Sequence, residues 1–130
     1  MFIRSFVLIL FSAVLLAGDI RLRGSSVGSV ESSGDVRIRG SLVGRFESGG
    51  DIRVKGSLVG KIESDGSIRK NGSLVGKVES DGSVRVSGSL RGKVESDGDV
   101  RQDGSIIGSA RGVPAAQAAC LFFFGFFDLK

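Results

Sequence analysis

GDIRVKGSLVGKIESD, residues 50 to 65, is the stretch from which the fold of this chain can be read. Its glycines recur every sixteen residues. One set is Gly18, Gly34, Gly50, Gly66, Gly82 and Gly98; a second runs from Gly24 to Gly104 and a third from Gly28 to Gly108 at the same spacing. Six copies cover residues 18 to 113 with no insertion or deletion. A fixed period of this kind decides the architecture before any local propensity does. Within the stretch, odd positions carry Gly, Ile, Val, Gly, Leu, Gly, Ile and Ser. Even positions carry Asp, Arg, Lys, Ser, Val, Lys, Glu and Asp. Alternation with a period of two is a strand signal, and a glycine every four to six residues penalises helix heavily.

Two all-β arrangements satisfy this pattern. In one, each copy is a coil of a single-stranded parallel β-helix, the glycines turning corners at positive φ. Three interior ladders then stack: Ile20, Val36, Ile52, Ile68, Val84 and Val100; Leu42, Leu58, Leu74, Leu90 and Ile106; and Val30, Phe46, Ile62, Val78, Val94 and Ala110. In the other, Asp65-Gly66, Asp81-Gly82, Asp97-Gly98 and Asn71-Gly72 are hairpin turns. That division leaves strands of unequal length, about four and ten residues, with half of each long strand unpaired. The expectation is therefore a β-solenoid of six 16-residue coils, flanked by apolar segments expected to be helical.

The flanks differ sharply from the repeat. The chain contains nine Phe but no Trp, Tyr or His, and Phe46 is the one Phe between Gly18 and Val113. Residues 1–17, MFIRSFVLILFSAVLLA, have the size of a signal peptide or short anchor. Residues 114–130 begin with Pro114, which suits a first helical turn, and carry five Phe in six positions. Leu121, Phe122, Phe123, Phe124, Phe126 and Phe127 form a patch that would not stay in water, so an assembly or membrane contact is expected there. Cys120, the single cysteine, is expected to be a buried apolar residue and excludes an intrachain disulfide.

The charges are interspersed, with a net charge of +4. An Arg at the same place in every copy (Arg21, Arg37, Arg53, Arg69, Arg85 and Arg101) would form an outward column, a candidate stripe for an anionic polymer or lipid head groups. Lys61 and its equivalents lie two residues before a Glu and would share its face. No basic stripe backed by aromatics argues for nucleic acid. Chemistry is equally unsupported: without His there is no catalytic triad or zinc set, GSLVGK lacks the spacing of a phosphate loop, and one Asp per turn is too few for calcium. No catalytic, cofactor or metal residue and no small-molecule substrate is expected.

The segment Gly-x-Ile-Arg-x-x-Gly-Ser-Leu-x-Gly-x-Ile, residues 50 to 62, resembles the repeat of the bactofilin family, bacterial polymer-forming cytoskeletal proteins. The resemblance spans residues 18–113. It implies a short right-handed β-helix and nucleotide-free, end-to-end homopolymers, often on a membrane. The expected function is a self-assembling structural scaffold associated with a membrane. An exported solenoid that binds an anionic envelope polymer through its charged ladders is the alternative, and the choice between cytoplasmic face and export stays open on sequence.

Overall fold

A computed structural model describes residues 18–130. The expected signal peptide or anchor at residues 1–17 lies outside the described residues. Each repeat supplies one short strand and one longer strand. In order these are β1 (Gly18–Leu22), β2 (Ser25–Val30), β3 (Asp35–Ile38), β4 (Ser41–Phe46), β5 (Asp51–Val54), β6 (Ser57–Ile62), β7 (Ser67–Lys70), β8 (Ser73–Val78), β9 (Ser83–Val86), β10 (Ser89–Val94), β11 (Asp99–Gln102) and β12 (Ser105–Arg111), followed by helix α1 (Ala115–Phe122). Every neighbouring pair is antiparallel, and β1 pairs with β12, so the sheet closes into a twelve-stranded barrel. The expected parallel six-coil solenoid is corrected by this topology, although the all-β class and the sixteen-residue unit both hold.

The turns explain why the repeat closes this way. Lys55-Gly56 joins β5 to β6, with φ of 52° and 85° and with Val54 facing Ser57. Two successive positive φ values define a type I′ turn, whose twist matches that of a two-residue hairpin. Equivalent turns occupy Arg23-Gly24, Arg39-Gly40, Asn71-Gly72, Ser87-Gly88 and Asp103-Gly104. At the other end of the strands, the Gly66 amide donates to the Glu63 carbonyl and the Glu63 amide to the Ser67 carbonyl. Glu-Ser-Asp-Gly is thus a four-residue connection, with Gly66 at φ 92°. With Glu63 and Ser64 in the connection, the longer strand spans only the six residues Ser57–Ile62 against four in β5, and most of the expected length mismatch is gone.

A bulge absorbs the remaining difference. Ile52 faces Gly60 but Arg53 faces Leu58, so Leu58 and Val59 together oppose one residue of β5. One extra residue inverts the inside–outside phase of everything on its far side. Leu58 therefore points outward, 55% exposed, and Val59 packs against the core. The same holds for Leu42, Leu74, Leu90 and Ile106, at 52–58% exposure. The expected interior leucine ladder is in fact a ring of exposed side chains. The other two ladders are interior as read, except that Ile62 is only half-buried; Ile20, Val36, Ile52, Ile68, Val84 and Val100 are fully buried. The carbonyl of each bulged residue accepts from the first turn residue of the next hairpin, as in Asn71 N to Val59 O at 2.8 Å.

The C-terminal segment fills the lumen. After Gly112 (φ 81°) and Pro114, α1 buries Ala118, Ala119, Cys120 and Leu121. Beyond α1, Phe124, Phe126, Phe127 and Leu129 are also buried. Five rings stand on five glycines of the third glycine set. Phe122 covers Gly108, Phe123 covers Gly92, Phe124 covers Gly76, Phe126 covers Gly60 and Phe127 covers Gly44. A Cβ at Gly60 would lie 2.6 Å from the Phe126 ring, so only glycine leaves room there. Successive aromatics thus meet successive hairpins as the tail winds once around the inner wall. Gly28 has no Phe; Ile38, buried at 6% exposure, folds over it instead. Polar tethers hold the tail: Lys70 Nζ donates to the Phe124 carbonyl at 3.1 Å and Arg39 to the Leu129 carbonyl at 2.8 Å.

Candidate assembly surfaces

Closure, the wall and the two mouths determine what this barrel can offer a partner. A closed sheet has no free strand edge, and edges are where strand addition begins. The chain edges that an open solenoid would present are paired here, Ile20 with Ala110 and Asp19 with Arg111. Contacts must therefore come from side chains on the folded surface.

The predicted arginine column lies on the outer wall, and each member is ion-paired. Arg37, Arg53, Arg69, Arg85 and Arg101 donate through Nε to Glu31, Glu47, Glu63, Glu79 and Glu95 at 2.7–3.2 Å. Arg21, where no Glu precedes it in the barrel, pairs with Asp19 at 2.8 Å. Glutamate is bound by the arginine of the next strand, not by the lysine two residues before it. The strand crosses back after the turn, which brings position Arg53 over Glu47. These partners are one-third to one-half exposed, so each pair contributes only about 0–1 kcal/mol. Their main effect is to neutralise the wall.

The predicted tail contact, Leu121, Phe122, Phe123, Phe124, Phe126 and Phe127, is inside the barrel. Leu121, Phe124, Phe126 and Phe127 are buried, and Phe122 and Phe123 are half-buried. The sequence showed that these rings need cover. It could not show that the glycines of the repeat provide that cover. Cys120 is buried as expected, and burial pushes its thiol up to about 12. Glu95, Asp97 and Asp99 bring carboxylate oxygens within 4.8 Å of one another. Each is already engaged, by Arg101, by the Asp99 amide and by Arg111 respectively.

What sequence reasoning missed is the difference between the two mouths. The four-residue connections form one mouth and carry Glu31, Glu47, Glu63, Glu79 and Glu95 with Asp65, Asp81 and Asp97. The type I′ turns form the other and carry Arg23, Arg39 and Lys55, with Lys130 nearby. The Asp65, Asp81 and Asp97 carboxylates each accept the amide two residues on, at 2.9–3.0 Å. For Asp65 and Asp81 that hydrogen bond holds the carboxyl below its usual range. The signal was present in the alternation of turn types, which only a hairpin reading places at opposite ends.

The wall is not built to span a bilayer. Strands of four to seven residues with Arg and Lys at every repeat cannot supply the apolar band, about 25 Å tall, of a membrane barrel. Among the described residues no helix is long and apolar enough to cross a membrane.

Comparison with known proteins bears on what such a unit does. Residues 39–113, more than half of the chain, match the family model described as "Bactofilin: Polymer-forming cytoskeletal". The chain belongs to the bactofilin family. No curated protein and no solved structure matches it. Residues 39–113 run from the middle of the β3–β4 hairpin to two residues past β12, so the match falls on the repeat and not on the tail that fills it. The bactofilin family is a structural, cytoskeletal one. This member carries its repeat in a closed barrel.

Proposed function

We propose that this bactofilin-family chain is a self-assembling scaffold subunit that polymerises as intact barrels and is held at a membrane. The family match supports polymer formation. The closed barrel, with β1 hydrogen-bonded to β12, is the observation that carries the mode of assembly: no strand edge is free, so subunits join through side chains at mouths and wall. Membrane attachment is supported by the apolar run at residues 6–17 of the sequence and by Leu42, Leu58, Leu74, Leu90 and Ile106 exposed around the barrel. Neutralised arginines on the wall favour this reading over capture of an anionic polymer.

The test combines electron microscopy with vesicle flotation. The purified full chain is expected to form filaments, and these are expected to float with vesicles. Deleting residues 2–16 is expected to keep filaments and abolish flotation. A chain that stays monomeric at all concentrations would refute self-assembly, and unchanged flotation of the deletion would move the attachment to the exposed leucines.

A further inference from the structure

The outer wall is short of carboxylates in one sector. Arg45, Lys61, Lys77 and Lys93 stand directly opposite Arg53, Arg69, Arg85 and Arg101 of the next strand. Like charges directly opposite one another in an antiparallel pair are destabilising. Each of these four opposing arginines has its own glutamate, so the balance depends on what faces the other cation from the preceding strand. Asp35 faces Arg45 and pairs with it at 3.7 Å, and Asp51 faces Lys61. Ser67 faces Lys77 and Ser83 faces Lys93. Among the described residues no carboxylate forms an ion pair with Lys77 or Lys93. Backbone and side-chain hydrogen bonds from Ser67 lower the Asp65 carboxyl, and the Lys77 charge adds to them, yet Asp65 does not pair with that lysine.

A groove of about 410 Å³ opens at the first of these two places. Ser67, Lys77, Arg85 and Ser87 line it together with Val75 and with Leu74, whose side chain is exposed. Arg21, Arg53, Arg69 and Arg101 each use Nη1 to hold the turn carbonyl three residues on, at 3.1–3.4 Å. Arg85 is held through Nε by Glu79 and makes no such turn bond among the described residues, so its terminal nitrogens stay available. The groove therefore joins a lysine without an ion-pair partner, a guanidinium edge and an exposed aliphatic side chain. Its volume falls in the range of small-molecule sites, about 300–1,000 Å³.

We propose that this groove binds a soluble amphiphile that carries a phosphate or carboxylate head on a short aliphatic chain. The head supplies the negative charge that Ser67 does not offer to Lys77 and Arg85, and the chain lies over Leu74 and Val75. The site goes beyond the scaffold reading and is independent of it, because it lies on the wall of one barrel. Both cations are open to solvent, so binding is expected to weaken as salt rises.

Equilibrium dialysis of the full chain against octyl phosphate, below its micellar range, tests the site whether the chain is monomeric or polymeric. Octyl phosphate is expected to bind at least ~10-fold tighter than inorganic phosphate and than octyltrimethylammonium. Two variants are borrowed from sister repeats. Ser67→Asp copies Asp51 and Asp99, and Lys77→Ser copies Ser29 and Ser109. Each is expected to weaken octyl phosphate at least ~10-fold, and if one of them fails to fold by circular dichroism the other carries the test. Leu74→Gln is expected to weaken it about 3- to 10-fold, whereas Leu42→Gln, beside the paired Asp35 and Arg45, is expected to leave it unchanged. Octyl phosphate that binds no better than either half-ligand, or that ignores both Ser67→Asp and Lys77→Ser, overturns the site. A loss with Leu42→Gln as large as with Leu74→Gln does the same. If octyl phosphate stays unbound while flotation with phosphatidylglycerol vesicles falls with Ser67→Asp, the anion belongs to a bilayer and the soluble ligand is overturned.

Discussion

Replacing Phe126 by Ala probes the joint between tail and barrel at one glycine. Phe126 is 7% exposed, and its ring sits where a Gly60 side chain would begin, 2.6 Å from that Cβ position. Truncating a buried Phe removes its transfer free energy and leaves a cavity, together about 3–5 kcal/mol. Domain stability is typically about 5–15 kcal/mol, and a urea slope is about 1–3 kcal/mol per molar, so the midpoint should fall by roughly 2 M. Gly60→Ala attacks the same joint from the wall. Its Cβ would meet the Phe126 ring and lie 2.5 Å from the Arg69 carbonyl oxygen, an overpacking cost of about 1–3 kcal/mol. In the Phe126→Ala background the ring is gone, and the cost of Gly60→Ala should drop by about 0.5–3 kcal/mol, the range for residues in contact. Gly40→Ala is the control. It has open space around it but a φ of 82°, so it should cost about 1–2 kcal/mol and add independently. Urea unfolding of the five variants, followed by circular dichroism, measures all of these. A Phe126→Ala loss below about 1 kcal/mol, the ordinary cost of an average substitution, would refute a filled lumen.

Truncation after Val113 removes Leu121, Phe124, Phe126, Phe127 and Leu129 from burial at about 1.5–3 kcal/mol each, which rivals the whole stability; the truncated chain should lose cooperative unfolding in a calorimeter. Leu58→Gln should change stability by less than about 0.5 kcal/mol, whereas Ile52→Ala should cost about 2–5 kcal/mol, and equal effects in thermal melts would contradict the bulge. Cys120 has its folded thiol pushed up to about 12 from 9.0, so the unfolded chain releases the proton first. Its contribution is intact below pH 9 and lost as pH rises toward 12, with a slope of about 1.4 kcal/mol per pH unit that Cys120→Ala should abolish.

The repeat length, the strand content and two of the three buried ladders were legible because period-two alternation and glycine spacing are local. The closed topology was not. Asn71-Gly72 announced a type I′ turn, but the same turn is made at Lys55-Gly56 and Arg39-Gly40 by residues that rarely adopt positive φ. Reading Glu63-Ser64-Asp65-Gly66 as strand plus a two-residue turn then produced the length mismatch that favoured coils. The leucine ladder failed for a separate reason. A bulge at Leu58-Val59 leaves no mark in composition, yet it reverses which side faces the core. The tail was recognised as needing cover because aromatic density is visible in sequence. Its partner was invisible, because a glycine column marks a corner as readily as a seat for a ring.

The pairing of tail and wall has a consequence for the history of the gene. Near-identical tandem units ordinarily gain and lose copies freely, since each new unit finds the same neighbours. Here the tail counts them. Phe127, Phe126, Phe124, Phe123 and Phe122 answer repeats two to six in reverse order, and Ile38 answers the first. A seventh unit would bring a glycine with no ring to sit on it and would widen the circle that the tail must span. A fifth-unit loss would leave a ring without a seat. Duplication that is silent elsewhere is thus read out at the far end of the chain, and copy number can change only together with the spelling of Phe122 to Leu129.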